Sequence, residues 1–229
     1  MRKIDYDSEY NRKLNENILK VRSDINEEYM QRKIENYSKK FDLPYNFVKR
    51  KIITDNIFAL DFAVDPSRQT YHEEYAYKFI NENPFIENME RLPQSNKGAL
   101  YIINGSLVEW TKLTAENKSE NVKALDFKWN IIGKNEKIYT IFASHKYTKE
   151  EGGSQDNQFH DLCTSMKHAK ICKNPNTYFL AIGDGPYYQK KKINNLTRLE
   201  YMNQEFGNER CIALTSNDID EFIDKIRNL

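Results

Sequence analysis

No run of about 18 apolar residues occurs in the chain, so a membrane-spanning helix is not expected. An apolar leader is missing too: the chain opens on the charged stretch MRKIDYDSEYNRK, which does not read as a secretory signal. Cysteine is scarce and odd in number (Cys163, Cys172 and Cys211), which argues against a disulfide framework and for a reducing compartment. These absences predict a soluble, cytoplasmic protein with no membrane partner. Charge of one sign is also lacking. With 35 Lys and Arg against 34 Asp and Glu the formal net charge is +1, so any affinity for a polyanion must come from local clustering. There is no G-x-x-x-x-G-K-[ST] loop, no G-x-G-x-x-G, no internal repeat and no low-complexity tract, and a nucleotide cofactor is not expected.

What is present is aromatic area. Fifteen Tyr, 12 Phe and 2 Trp supply the apolar surface that a disordered chain lacks, and 229 residues suffice for one well-buried core with a helical appendage. Leu14, Ile18, Val21 and Ile25 recur at helical spacing between charged residues and predict one or two amphipathic helices before Phe41. That stripe fits packing on the protein's own core or a dimer contact. Asp65-Pro66-Ser67 reads as an N-cap signal for a helix running to about Glu82, on which Gln69 and Glu73 share a face. GALYIING, from Gly98 to Gly105, reads as a strand, and 107–121 is ambiguous.

The clearest expectation is a β-hairpin. VKALDFKWNI alternates, with Ala124, Asp126 and Lys128 on one face and Leu125, Phe127 and Trp129 on the other; IGKNEK turns the chain, and IYTIFASHKY returns. On the returning strand Ser144 and Lys146 share a face, while Ala143 and His145 point the other way. A helix from Asn157 to about Cys172, a buried strand over Thr177 to Gly185, a short strand RCIALTS, and a C-terminal helix capped by Ser216 or Asn217 follow. The fold class is therefore α/β (α+β), a central mixed β-sheet flanked by helices. We expect a single domain over 1–229, with an N-terminal helical region over 1–64 for dimerisation or DNA clamping and a core over 65–229.

Phosphodiester hydrolysis needs a hard cation that draws charge from the phosphate and acidifies an attacking water, with a cation or base beside that water. Asp126 and Lys146, facing one cleft from neighbouring strands, supply those parts. The order of features resembles the PD-(D/E)XK nuclease superfamily, and type II restriction endonucleases in particular. In that pattern an Asp on one strand is followed, after a variable hairpin, by acid-X-Lys on the next; here ALD and SHK stand in those places, between the SRQTYHEE helix upstream and FLAIGDGPYY downstream. The resemblance spans Ser67 to Ile182 and departs from the pattern twice: Leu125 stands before Asp126 where the pattern has Pro, and Ser144 occupies the position of the second acid. It implies a PD-(D/E)XK-like core and Mg²⁺ as cofactor, bound by Asp126, by the His145 backbone carbonyl and by Glu73, with Glu74 and Glu109 as fallbacks. Lys146 would orient or deprotonate water. Ser144 lies at the site, and the His145 side chain is a minority candidate for general base.

Asn and Gln match adenine N6 and N7 in the major groove, so GGSQDNQ reads as a base-reading loop built from Ser154, Gln155, Asp156, Asn157 and Gln158, although Ser154 or Asp156 could instead cap the next helix. A second DNA surface comprises Tyr187, Tyr188, Gln189, Lys190, Lys191 and Lys192, with Arg68 and Gln69 on the upstream helix. His160, Cys163, His168 and Cys172 superficially suggest zinc, but on one helix they fall at about 0°, 300°, 80° and 120° over ~18 Å and cannot surround one ion. The expected function is thus Mg²⁺-dependent, site-specific cleavage of double-stranded DNA by a homodimer acting on a palindrome, with an A·T-containing site favoured by the amides. A nuclease-like protein that binds DNA without cleaving it, and an interaction protein unrelated to nucleic acid, remain alternatives.

Overall fold

The structure is a computed structural model that describes residues 2–68, 70–95, 98–114 and 122–229, without the side chains of Arg68, Asn135, Ser154 and Lys192. The chain divides into two compact units, Asp5–Tyr75 and Met1–Ile4 with Ala76–Leu229. The division falls inside a helix rather than between 64 and 65.

The helical unit contains α1 (Tyr6–Ser23), α2 (Glu28–Phe41), α3 (Tyr45–Thr54) and α4 (Asn56–Leu60). Local chemistry sets their ends. Asp5 accepts the Ser8 N–H at 3.0 Å and starts α1, while Asp55 closes α3 and accepts the N–H groups of Ile57 and Phe58 to start α4. Ile18, Val21 and Ile25 bury against Met30, Ile34, Val48 and Ile52, so the stripe read in the sequence covers the unit's own core.

The sheet unit follows, entered through α5 (Tyr71–Asn81). Asp65, expected to cap that helix, instead accepts the Ser67 N–H at 2.8 Å and holds a single 3₁₀ turn, Pro66–Arg68, ahead of it. Next come β1 (Glu87–Arg91), a β2 (Leu100–Ile103) and β3 (Ser106–Glu109) hairpin, then β4 (Phe127–Ile132) and β5 (Ile138–Tyr147). The chain continues through α6 (Gly153–Ala169), β6 (Thr177–Asp184), α7 (Pro186–Gln189) and a small β7 (Lys191–Ile193) and β8 (Leu196–Thr197) hairpin. It ends with α8 (Arg198–Phe206), β9 (Cys211–Leu214) and α9 (Ile219–Arg227). The main sheet has the order β1-β4-β5-β6-β9; β1, β4 and β5 pair antiparallel, whereas β5, β6 and β9 run parallel.

Alternation along these strands builds a core on each face. Phe127, Trp129, Ile141, Leu180 and Ile182 meet α5 and α9 on one side, and Phe142, Phe179 and Ala181 meet α6 and α8 on the other. Leu125 departs from the expected pattern. It joins the second cluster, not that of Phe127 and Trp129, because its N–H pairs with Leu100 O of β2 at 2.8 Å, one step before β4 becomes regular. The C-terminal cap is also corrected: Asp218 accepts from both the N–H and the hydroxyl of Thr215, at 2.9 and 2.6 Å, and Ser216 turns elsewhere. Among the described residues no helix is long and apolar enough to cross a membrane.

Gly185 ends β6 with φ +94°, and a Cβ there would lie 2.3 Å from the Thr148 carbonyl oxygen. That carbonyl accepts the Tyr187 N–H while the Thr148 N–H bonds Asp184 O, so the backbone has nowhere to yield. Gly185→Ala is expected to destabilise the protein by more than about 2 kcal/mol. Chemical denaturation checks this; an unchanged midpoint would contradict the turn.

Candidate active site

The site forms where β4 runs out. Phe127 pairs with Ala143 as the last regular rung, and Asp126, one residue earlier, is still pinned on both sides: its N–H donates to Ala143 O at 2.8 Å and its C=O accepts from Leu92 N at 2.9 Å. His145, two residues further along β5, then lacks a β4 residue to pair with. The Asp126 side chain takes that place, its Oδ2 accepting the His145 N–H at 2.7 Å. Lys146 Nζ lies 3.7 Å from the same oxygen. In a strand, the N–H and C=O of one residue point to the same side, so the His145 carbonyl is directed toward Asp126 as well.

Burial is uneven across the pair. The Asp126 side chain is 1% exposed and that of Lys146 is 24% exposed, so the site meets solvent through the ammonium. Ser144, on the Lys146 face, is buried, and its hydroxyl has no hydrogen-bond partner among the described residues. Lys146 lies opposite Gly183 on β6, and the missing side chain there leaves room for the Tyr188 ring.

Behind the sheet, His145 Nε2 lies 3.0 Å from Asp184 Oδ2, which also accepts the Ser216 hydroxyl at 2.6 Å; Oδ1 accepts the Ser216 N–H at 2.8 Å. These three residues are buried. The His145 ring is thus turned away from Lys146, as alternation requires, and toward Asp184 rather than the place expected of a general base. Its backbone belongs to the site and its ring to the support.

Asp161 on α6 is an acid that sequence reasoning did not single out. Burial holds its carboxyl above the usual carboxylate range, against the pull of Lys123, Lys146 and His160, which places it in the electrostatic reach of Lys146. Nothing in the sequence marks it, because only the docking of α6 on β5 and β6 brings it there. Its folded-state value exceeds the unfolded one, so the stability it contributes is complete below the unfolded value, about 3.9, and is lost as pH rises through the folded value. Asp161→Asn is therefore expected to raise the melting temperature at pH 7 and to confer no gain below about pH 4. Identical melting curves at pH 7 would contradict this environment.

Of the other acids considered, Glu73 and Glu74 occupy the first turn of α5 in the helical unit, and Glu109 is exposed at the end of β3. Among the described residues no three His, Cys, Asp or Glu side chains cluster as a metal site. Cys163 and Cys211 are buried thiols, pushed by desolvation up to about 12, and Cys172 lies beyond the end of α6.

The amide-rich loop is a helix. α6 starts at Gly153 with Gly152 rather than Ser154 or Asp156 in the N-cap position, and the residues expected in a loop form its first turns. Asp156 accepts from the Tyr187 hydroxyl at 2.5 Å, and Gln158 from the Thr148 hydroxyl at 3.1 Å; Gln155 is half-buried and Asn157 exposed. Tyr187 and Tyr188 are fully buried, so their rings serve the core rather than a ligand; burial and the bond to Asp156 push the Tyr187 phenol up to about 12. Arg198 lies over the Tyr187 ring at 3.6 Å and closes this support. Gln189, Lys190 and Lys191 are exposed, leading into a hairpin whose Asn194 and Asn195 take φ 50° and 63°, the backbone of a tight type I′ turn. Gln69 and the side chains of Arg68, Ser154 and Lys192 lie outside the described residues. No family model, no curated protein and no solved structure matches the chain.

Proposed function

We propose that the sheet unit is a Mg²⁺-dependent endonuclease acting on double-stranded DNA, with Asp126 and Lys146 as its catalytic pair. The observation that carries this reading is the convergence of the two side chains at one oxygen, at the point where β4 leaves β5. The element order supports it: α5, three antiparallel strands, α6 and a parallel strand place the acid before the second strand and the lysine near the end of the third, in keeping with a PD-(D/E)XK-like core.

The donors fit a hard cation. Asp126 and the His145 carbonyl are oxygen ligands, and the buried Ser144 hydroxyl, without a hydrogen-bond partner among the described residues, marks a polar position in need of a ligand or water. One carboxylate leaves most positions to water, which is the habit of Mg²⁺. Bound there, the ion would draw charge from a phosphate and acidify a water. Lys146 orients that water or takes its proton, and Asp126 is held in place by the His145 N–H. Dimeric action on a palindrome fits the same reading, because two-fold symmetry in the protein matches two-fold symmetry in a duplex. A DNA-binding protein without cleavage is the second reading, favoured by Ser144 in the acid's position.

Incubation of supercoiled plasmid with and without Mg²⁺ tests the proposal. Discrete linear fragments in Mg²⁺ alone are expected. Intact plasmid in Mg²⁺, with retarded migration at low salt, selects the second reading.

A further inference from the structure

The helical unit carries a motif that the catalytic reading does not use. From Tyr37 to Ile52 the chain reads YSKKFDLPYNFVKRKI. α2 ends at Phe41 and α3 starts at Tyr45, so Asp42, Leu43 and Pro44 alone join them. Asp42 takes the left-handed conformation, φ 51° and ψ 46°, and the Leu43 N–H returns to Ser38 O at 3.0 Å, which reverses the chain within one step. Leu43 then packs inward on the cluster of Ile34, Val48 and Ile52, which Ile18 and Val21 of α1 and Ile25 just beyond it close from behind. Two helices joined by a three-residue turn and braced by a third have the connectivity of a helix-turn-helix.

The outer face of α3 shows what such a motif would hold. Val48 and Ile52 are buried, whereas Asn46, Arg50 and Ile53 are exposed, with Lys49 beside them. Their spacing of three and four residues places them on one side of the helix. Lys49 Nζ is bonded to Asn26 Oδ1 at 2.8 Å, which holds it at the edge of that face. From Glu28 to Thr54 the motif has Arg32, Lys33, Lys39, Lys40, Lys49, Arg50 and Lys51 against Glu28, Glu35 and Asp42, within a protein of net charge +1. Basic charge is thus gathered on this motif, which is what a polyanion requires. A helix fits the major groove, where Asn pairs with adenine and Arg or Lys with guanine or phosphate.

We infer that α2, its turn and α3 form a helix-turn-helix that reads the major groove of double-stranded DNA, with α3 as the recognition helix bearing Asn46, Lys49 and Arg50. The inference stands whether or not the sheet unit cleaves.

The test uses the full chain in EDTA, so that binding is read without cleavage. Fluorescence anisotropy with a labelled duplex of mixed sequence compares the wild type with Lys49→Ala/Arg50→Ala, with Arg50→Gln, which preserves helix propensity, and with the charge-matched Lys134→Ala/Lys225→Ala. The double substitution is expected to weaken binding about 10- to 100-fold and to flatten its salt dependence by about two phosphate contacts, with Arg50→Gln in between and the control unchanged. Selection from a random duplex library is expected to give a motif that Asn46→Ala relaxes at one position. Equal affinity in all four proteins, or no duplex binding by the wild type at low salt, overturns the inference. Loss of plasmid cleavage in Lys146→Ala bears on the sheet unit alone.

Discussion

Lys146→Ala is expected to lower Mg²⁺-dependent DNA cleavage by about 10²- to 10⁴-fold, the range over which a positioned proton-transfer group acts. The fold should survive. Lys146 is 24% exposed, and an ion pair open to water is worth at most about 1 kcal/mol. The Asp126 carboxylate keeps its bond from the His145 N–H when the ammonium is gone, so it is not left alone in the core. Lys146→Arg discriminates further. A guanidinium keeps the charge yet does not release a proton near neutral pH, so failure of Arg to restore cleavage points to proton transfer, while restoration points to charge alone. Single-turnover cleavage rates with far-ultraviolet circular dichroism as a fold control measure this; a wild-type rate in Lys146→Ala would remove the lysine from the mechanism.

Asp184→Ala is expected to produce the largest loss of stability, about 3–5 kcal/mol, the range for removing one partner from a buried charged network. The substitution strands three donors at once: the His145 ring, the Ser216 hydroxyl and the Ser216 N–H, all in residues below 5% exposure. Asp184→Asn retains an oxygen that can accept from Ser216 and should cost about 1–3 kcal/mol. The effect reaches the site through one residue. His145 is held by Asp184 through its ring and holds Asp126 through its N–H, so loosening the ring also loosens the Asp126 carboxylate. Denaturant melts of the two variants check the order; equal, small losses would show that the network does not bear on stability.

The hairpin that carries the site was legible because its side chains obey a period of two over many residues. Lys146 on one face of β5 and the His145 ring on the other follow from that period alone, whereas Asp126 stands one residue before β4 becomes regular. Where pairing partners change, the period fails. Leu125 follows β2 instead of β4 and changes cluster, and β1, the polar edge sequence ENMER, has no apolar alternation to reveal it. The start of α6 was hidden because its N-cap is a glycine and its first turn is rich in amides, both of which read as loop. Asp161 was hidden for a different reason. Its place in the electrostatic reach of Lys146 depends on the docking of a helix onto strands distant in sequence, and no local pattern records that. Tyr187 and Tyr188 illustrate the converse: beside Lys190 and Lys191 they read as a binding surface, but the turn at Gly185 folds both rings inward.

The central claim is that Asp126 holds a hard divalent cation beside Lys146. Mn²⁺ titration of the full chain, followed by water-proton relaxation, tests it without reference to DNA or cleavage. The account predicts Mn²⁺ bound by the wild type, displaced by Mg²⁺ and lost in Asp126→Asn with the fold intact. Equal binding by the wild type and Asp126→Asn, or none by either, would contradict it.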